Sequence, residues 1–324
     1  MTLGKAIYIT RCDIGSYSKS ANAYRKPLEV STKFSTALCV TEFCRVPKEI
    51  HEKCTEIVRF KHVGELLSRK CNGPVDLNAS QVFTGFDFPS MFVAWHLKQR
   101  YGCPWTVFLW DPPSLSHRDG FPPLRWAIDA VFRFFAKRCD RLVLNIHPGL
   151  LNEIGYRPRK GQLELRMQDA WEGIEFKRVE LNRNVEEGQF DYDFGVLANW
   201  SEAKGGNLMA KVMRLMPEKK CIWVGNMPND GKARDGIDFA GRLPQDEAFA
   251  RLRKCRVLIV PYLATRALKW NYPLKLFEYL QLGRPILASN NPGNATIAKR
   301  FCGRITLFKS GDAYDLVKKA GECL

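Results

Sequence analysis

The segment 272–289, YPLKLFEYLQLGRPILAS, constrains this chain more than any other part of it. Its pattern predicts a loop, a short helix that opens near Pro273, a stop at Gly283, and then a buried strand. Lys275 and Glu278 are three residues apart, so they share one face of that helix. The helix start and Lys275 suit an anion, and the Glu278 carboxylate can accept hydroxyl protons from a ribose diol. The segment predicts half of a nucleotide diphosphate site; an amphipathic helix with one surface ion pair is the alternative.

The same segment resembles the C-terminal donor-site motif of the GT-B-type glycosyltransferases, in particular family 4 (group 1). That motif runs from a Pro through a Glu and an apolar pair to Gly, any residue, Pro and a Val/Ile-rich strand. In the family, the Glu at the place of Glu278 binds the ribose of the donor nucleotide. A second family Glu, eight positions earlier, is Trp270 here. The resemblance therefore implies a nucleotide site whose recognition of the sugar differs.

The order of apolar runs predicts the fold class. A chain of 324 residues is long enough for two domains of ordinary size. Short strand-like runs lie at 6–10, 37–41, 57–60, 81–84, 105–110 and 141–146, and again at 194–198, 221–225, 237–239, 256–261, 285–289 and 304–307. Helix-length segments separate most of them, for example 89–100, 124–139, 207–215, 245–254 and 295–301. We expect an α/β protein of GT-B type, with two Rossmann-like, doubly wound parallel sheets facing a cleft.

A polar and acidic stretch at 179–188 is typical of a linker. It predicts an N-terminal, acceptor-side domain over 1–184 and a C-terminal, nucleotide-sugar-binding domain over 185–324. Just before it, 173–175 resembles the turn that ends the first domain in the same family. The resemblance also implies that the last helix, near 313–321, crosses back to the first domain.

In the C-terminal half, the loop after the strand at 194–198 contains Lys204 and Gly205. In the family this loop carries a Lys-Gly pattern whose Lys contacts the donor diphosphate, with the Gly allowing a close backbone approach. The family's Arg six residues before the Lys is Ala198 here. Gly241 and Arg242 fall in a turn that the family uses against the nucleobase. For Lys204 the alternative is a solvated loop lysine.

In the N-terminal half, three residues are candidates for the site. The loop after the first strand contains Gly15, where family members place a Gly-rich loop against the sugar and phosphate; a plain surface loop is the alternative. Asp111 follows the fifth strand, where a carboxylate can orient an acceptor hydroxyl, stabilise an oxocarbenium-like transition state, or act as a general base. Asp87 follows the fourth strand and is the second catalytic candidate. For Asp111, a turn before Pro112 is an equal alternative.

We expect no metal and no cofactor beyond the nucleotide sugar itself. Asp191 and Asp193 match the Asp-x-Asp metal motif of the other glycosyltransferase fold, but they precede a strand rather than follow one. GT-B enzymes typically neutralise the leaving diphosphate with Lys, Arg and helix N-termini. The eleven cysteines are scattered without Cys-x-x-Cys pairs, which favours a reducing compartment.

The net charge of +16, from 50 Lys+Arg against 34 Asp+Glu, favours an anionic partner. No nucleic-acid-binding motif accompanies it, so nucleic acid is not expected. The segment 121–138 predicts a basic, aromatic helix suited to an anionic membrane interface; a core helix is the alternative. Its predicted apolar stripe is Leu124, Ile128, Val131 and Phe135, and its predicted basic residues are Arg125, Arg133, Lys137 and Arg138. With no signal peptide and no spanning apolar run, we expect a cytoplasmic protein, peripheral at the cytosolic membrane face.

These features together predict a glycosyltransferase of the hexosyltransferase type. It moves a sugar from a nucleotide diphosphate sugar to a glycan or lipid-linked acceptor, such as a polysaccharide intermediate, with retention if the family mechanism holds. Two alternatives remain open. One is a nucleotide-sugar epimerase of the same fold. The other is a non-catalytic nucleotide-binding partner subunit, which the replacements at Trp270 and Ala198 would suit.

Overall fold

A computed structural model of the chain describes residues 4–16, 22–67, 81–113, 122–166, 190–228 and 230–324. The chain divides into two compact units, Met1–Ala170 and Trp171–Leu324. Each unit is built on a parallel sheet with helices between successive strands, so the predicted class of two doubly wound α/β sheets is confirmed. The predicted boundary at 184/185 lies outside the described residues.

The first unit contains a seven-stranded sheet with the order β3-β2-β1-β4-β5-β6-β7. Its strands are β1 Lys5–Thr10, β2 Ser35–Thr41, β3 Glu56–Phe60, β4 Gln81–Thr84, β5 Trp105–Leu109, β6 Arg141–Leu144 and β7 Leu163–Leu165. Its helices are a 3-10 turn at Ile14–Ser16, α1 Asn22–Lys33, α2 Lys48–His51, α3 Val63–Leu67, α4 Phe88–Tyr101, α5 Pro122–Ala136 and α6 Gly149–Glu153. All strand pairs in this sheet are parallel.

Burial on both faces explains why the central strands of this sheet are mostly apolar. Every residue of β5 is buried, as expected for a parallel strand covered by helices on both sides. The one polar atom of Trp105 is satisfied inside the core, where its indole N–H donates to Thr84 Oγ at 3.0 Å. The sheet therefore forms a fixed platform from whose strand ends the loops project.

The second unit contains a six-stranded sheet with the order β10-β9-β8-β11-β12-β13. Its strands are β8 Tyr192–Leu197, β9 Cys221–Val224, β10 Ile237–Gly241, β11 Cys255–Val260, β12 Ile286–Ser289 and β13 Ile305–Phe308. Its helices are α7 Gly206–Leu215, α8 Gln245–Arg253, α9 Arg266–Lys269, α10 Leu274–Leu280, α11 Pro292–Arg300 and α12 Ala313–Gly321. Helix α12 packs against α7 within this unit, and its predicted crossing to the first unit stays a prediction.

Every strand predicted from the apolar runs is present, whereas β7 was not predicted. The segment 272–289 also folds as predicted. Helix α10 begins after Pro273, Gly283 adopts a positive φ of 69°, and β12 follows. No helix within the described ranges combines the length and the apolarity needed to cross a bilayer.

The strand orders locate the positions where ligands bind in folds of this kind. In each sheet the order reverses beside its first strand, between β1 and β4 in one unit and between β8 and β11 in the other. Open α/β sheets bind ligands at such switch points, outside the carboxyl ends of the strands. The residues directly after β1, β4, β8 and β11 are therefore the first place to look for function.

Candidate functional site

A cavity of about 350 Å³ opens at the carboxyl edge of the second sheet, at the β8/β11 switch point. Leu197, Ala198, Val224 and Leu243 form its apolar walls. Three cationic side chains, Lys204, Arg242 and Lys275, line the same cavity. Each of the three was predicted from the sequence to contact the donor nucleotide, and the structure brings them together.

Gly205 fixes the loop that carries Lys204. It has a φ of +81°, and a Cβ at this position would overlap the Pro261 carbonyl oxygen, so the loop packs directly on the end of β11. Helix α7 then begins at Gly206 with Gly205 as its N-cap. The Lys204 ammonium lies 4.1 Å from the centroid of the Tyr262 ring, within the range of a cation–π contact. The close backbone approach thus places Lys204 at the mouth of the cavity.

Backbone groups tie the strand ends beneath the cavity together. Gly225 has a φ of +143°, and a Cβ there would overlap the Ala198 carbonyl oxygen. Its N–H donates to the Gly241 carbonyl oxygen at 2.8 Å. The Trp223 indole N–H donates to the same Ala198 oxygen at 2.6 Å. The ends of β8, β9 and β10 are therefore locked to one another, which gives the cavity a rigid floor.

Lys275 and Glu278 form an ion pair on α10, as their spacing predicted. Lys275 Nζ lies 2.8 Å from Glu278 Oε2; the lysine side chain is 33% exposed on the cavity, and the glutamate side chain is 6% exposed. The helix is held against β8, because the Leu197 N–H donates to the Tyr279 hydroxyl at 2.6 Å. Burial raises the pKa of the Tyr262 phenol, and the negative charge of Glu278 adds to that rise. Glu278 therefore lies near Tyr262 and in contact with Lys275.

Tyr262 is the site residue that the sequence analysis missed. Its backbone oxygen accepts from Ser289 Oγ at 2.5 Å and from Asn291 Nδ2 at 3.0 Å, so the end of β12 holds the loop after β11. Its ring is buried and contacts the Lys204 ammonium. The sequence feature that could have identified Tyr262 is its position, two residues after the last residue of β11 at the switch point.

The remaining predicted donor-site residues differ in their surroundings. Gly241 ends β10 with a φ of +70° and accepts the bond from Gly225, so it serves the turn that carries Arg242. Gly15 belongs to the first unit, where its N–H donates to the Arg45 carbonyl oxygen at 2.7 Å. A Cβ on Gly15 would lie 2.6 Å from Arg45 Cβ, and the Arg45 guanidinium pairs with Asp13 at 2.8 Å. The structure thus uses Gly15 to pack two loops together.

The two catalytic candidates lie at the carboxyl edge of the first sheet. Asp87 is the N-cap of α4, and its Oδ1 accepts from the Ser90 N–H at 3.0 Å. Burial raises the pKa of Asp87, against the opposing effect of the Ser90 bonds and the Arg11 charge. Burial also raises the pKa of Cys12, and the charges of both Asp87 and Asp111 contribute to that rise. The two carboxylates therefore share one neighbourhood, around the end of β1.

The Asp-x-Asp motif at Asp191 and Asp193 has structural partners. Asp191 pairs with Lys254 at 2.9 Å, and Asp193 accepts from the Lys220 N–H at 3.0 Å. Within the described ranges, no group of three or more His, Cys, Asp and Glu side chains could hold a metal ion. Activity without a metal stays a prediction.

Two doubly wound parallel sheets, each with its order reversed beside the first strand, define the GT-B class of fold, and solved structures share it. HepE of Anabaena, in complex with UDP, aligns with a TM-score of 0.68 at 11% identity over 98% of this chain and 89% of that one. Sucrose-phosphate synthase from Thermosynechococcus elongatus gives a TM-score of 0.68 at 12% identity, with coverages of 98% and 89%. The UDP-GlcNAc 2-epimerase of Neisseria meningitidis, bound to UDP-GlcNAc, gives 0.53 at 9% identity, with coverages of 98% and 90%.

The second unit resembles a known family. Residues 192–324 match the family described as "Glycosyl transferases group 1". This region begins at β8 and contains the whole cavity with its cationic residues. A comparison with curated proteins found no match. The predicted resemblance to GT-B glycosyltransferases of group 1 is thereby confirmed.

Proposed function

We propose that this protein is a glycosyltransferase that takes a sugar from a nucleotide diphosphate sugar. The observation that carries the proposal is the cavity at the β8/β11 switch point, where Lys204, Arg242 and Lys275 surround one space beside the buried carboxylate of Glu278. Three cations around so small a volume favour an anionic ligand. The match of residues 192–324 to the group 1 glycosyltransferases supports a nucleotide diphosphate sugar as that anion.

The cations bind the diphosphate. Lys204 and Lys275 approach from the loop after β8 and from α10, and Arg242 approaches from the end of β10. Bonds between charged groups of this kind are about twice as strong as neutral ones. They take the place of a metal ion in neutralising the charge that develops on the leaving group, so we propose a metal-free reaction with no cofactor besides the donor.

Glu278 binds the ribose. A carboxylate offers about four acceptor positions, and the bond from Lys275 uses one of them. Lys275 lines the cavity and lies 2.8 Å from the Glu278 carboxylate, so the lysine can contact a phosphate while the remaining acceptor positions of the carboxylate take the ribose hydroxyls. Trp270 stands where the family has its other Glu, so groups other than that carboxylate recognise the sugar.

Asp111 is the proposed catalytic residue of the first unit. Asp111 stands in the loop after β5, next to the same carboxyl edge as Asp87, the N-cap of α4. In the proposed retaining reaction, the bond from the anomeric carbon to the diphosphate oxygen breaks while the acceptor oxygen attacks from the same face. The leaving phosphate oxygen takes the acceptor's proton, and Asp111 orients the acceptor hydroxyl.

The acceptor is proposed to be a lipid-linked or polysaccharide intermediate that the enzyme meets at the cytosolic face of a membrane. The net charge of +16 supports an anionic surface of this kind.

A thermal-shift series with UDP, GDP, ADP, dTDP and CMP tests the nucleotide assignment. UDP comes first because the HepE and epimerase structures contain uridine nucleotides. A ligand at about 100 times its Kd stabilises the folded state by about 2.7 kcal/mol, which corresponds to a shift of several degrees. No shift with any nucleoside diphosphate at millimolar concentration would refute the proposal.

Incubation with the matching nucleotide sugar then separates the activities. Slow hydrolysis to free sugar and nucleotide, with acceptor accelerating nucleotide release as the sugar bonds to the acceptor, indicates a transferase; an epimerised sugar nucleotide formed without acceptor indicates an epimerase. Asp111→Asn should reduce turnover by at least tenfold without changing nucleotide affinity. Asp87→Asn is the matched variant, since Asn caps helices as well as Asp does. A larger loss in Asp87→Asn than in Asp111→Asn would reverse the two roles.

A further inference from the structure

Helices α4 and α5 of the first unit leave an apolar face uncovered. On α5, Ile128, Phe132 and Phe135 are buried against the unit, whereas Leu124, Val131 and Phe134 are exposed. Trp126 is 69% exposed. The stripe predicted from the sequence, Leu124, Ile128, Val131 and Phe135, is therefore covered only in part: Ile128 and Phe135 are buried, whereas Leu124 and Val131 are exposed.

The apolar face continues from α5 onto α4. Phe92 of α4 is exposed, and its ring centroid lies 6.0 Å from that of Trp95. Trp95 in turn lies 5.6 Å from Phe134 of α5 in an edge-on contact. One surface thus joins the two helices. We call it the α4–α5 patch, and it consists of Phe92, Leu124, Trp126, Val131 and Phe134.

Basic side chains outnumber acidic ones on the two helices of the α4–α5 patch. Helix α4 contains no acidic residue, and the single acidic residue of α5, Asp129, is 5% exposed. Lys137 is exposed directly after α5, and the Arg138 guanidinium lies 3.6 Å from the centroid of the Phe134 ring. Arg133, which the sequence placed with them, instead donates to the Ile154 carbonyl oxygen at 2.7 Å and serves the fold.

We propose that the α4–α5 patch docks the protein onto the surface of an anionic lipid bilayer. Exposed Trp and Phe side chains beside Lys and Arg are the combination that suits the boundary between lipid headgroups and acyl chains. A duplex nucleic acid, which presents phosphates at its surface, would match the basic groups but would leave aliphatic side chains such as Leu124 and Val131 without an apolar partner. An acidic bilayer satisfies both, because it attracts the cations and takes up the apolar side chains. The inference rests on the proposed function only for the idea that the acceptor is lipid-borne.

Co-sedimentation with vesicles, without any nucleotide, tests the docking separately from the nucleotide site. The wild-type protein should bind vesicles of phosphatidylglycerol and phosphatidylcholine, bind pure phosphatidylcholine weakly, and be released by high salt. Trp126→Ala and Lys137→Gln should each weaken binding; for Lys137 we expect about fivefold, which corresponds to about 1 kcal/mol.

Two matched variants control for general loss of surface aromatic or charged groups. Tyr314→Ala removes a similarly exposed aromatic, 66% exposed on the second unit, and Lys48→Gln removes an exposed lysine of the first unit away from the patch. Both should bind as the wild type does. Equal effects of patch and control variants would overturn the proposal, as would equal binding to neutral and acidic vesicles. A change of oligomeric state in Trp126→Ala without vesicles would also overturn it, by making the patch an interface between copies of the chain. Loss of vesicle binding with UDP binding intact separates this proposal from the nucleotide assignment.

Discussion

Glu278→Gln is the sharpest test of the nucleotide site, because it changes one charge at a buried position and almost no volume. Glu278 is 5% exposed and holds the Lys275 ammonium at 2.8 Å. In the bound state we expect it to accept ribose hydroxyls as well. Hydrogen bonds that involve a charged group contribute about 1.5–3 kcal/mol, so UDP affinity should fall by roughly 10- to 150-fold.

Calorimetry with uridine and with UDP distinguishes a role of Glu278 at the ribose from a role at the phosphates. Because the ribose is present in both, Glu278→Gln should weaken uridine and UDP by similar factors. The lysine side chain stays one-third exposed, so water can solvate it when its partner loses the charge, and the fold should remain intact by circular dichroism.

The α12 pair Lys319–Glu322 supplies the control. It has the same spacing of three residues and the same 2.8 Å separation, but the Glu322 side chain is 49% exposed, against 6% for Glu278. Glu322→Gln should therefore leave both affinities unchanged. Unchanged UDP affinity in a folded Glu278→Gln protein would show that the ribose binds elsewhere.

Lys204→Ala and Lys275→Ala should each weaken UDP more than uridine by calorimetry, and equal losses for the two ligands would show that neither lysine touches phosphate. Gly205→Ala should lower the melting temperature and abolish UDP binding, since the added Cβ would overlap the Pro261 carbonyl oxygen; an unchanged melting temperature would contradict the described loop. Turnover should persist in EDTA, and full dependence on added Mg²⁺ or Mn²⁺ would refute the metal-free reaction. Burial alone would raise the pKa of Glu29, but Lys26 and Lys33 outweigh it and lower that pKa from 4.5 to about 2. Its contribution to stability, at most about 3 kcal/mol, is present above pH 4.5 and lost as the pH falls towards 2, so urea unfolding of Glu29→Gln should show a flatter pH dependence there than the wild type.

The strands could be predicted because of where they lie. A parallel strand covered on both faces is apolar over most of its length, so β5 and β11 stand out from their neighbours. The edge strand β7, Leu163–Leu165, is three residues long and only partly buried, so it lacks that signal. Helix α5 posed the opposite problem. Large apolar side chains lie on its exposed side as well as on its buried side, and periodicity cannot tell which of them the rest of the unit will cover.

The site could be predicted where the interacting residues are close to one another in the sequence. Lys275 and Glu278 meet across one helical turn, so their spacing alone brings them together. Gly15 and Tyr262 depend on distant partners. The approach of Arg45 to Gly15 joins loops thirty residues apart, and the contact of Tyr262 with Lys204 joins the ends of two strands. Such contacts are consequences of packing, which residue spacing does not encode.

The three cations of the cavity also bear on how each reaction cycle ends. When the sugar leaves, the nucleoside diphosphate gains a negative charge on its terminal phosphate, so a cavity lined by Lys204, Arg242 and Lys275 should hold the product more tightly than the donor. We expect UDP to inhibit competitively with a Ki below the KM for the donor, and added salt to relieve the inhibition. A Ki well above that KM would show that product departure is fast. If the product binds more tightly than the donor, turnover would follow the rate at which the cell removes nucleoside diphosphate. Nucleotide recycling, rather than donor supply, would then limit the amount of glycan made.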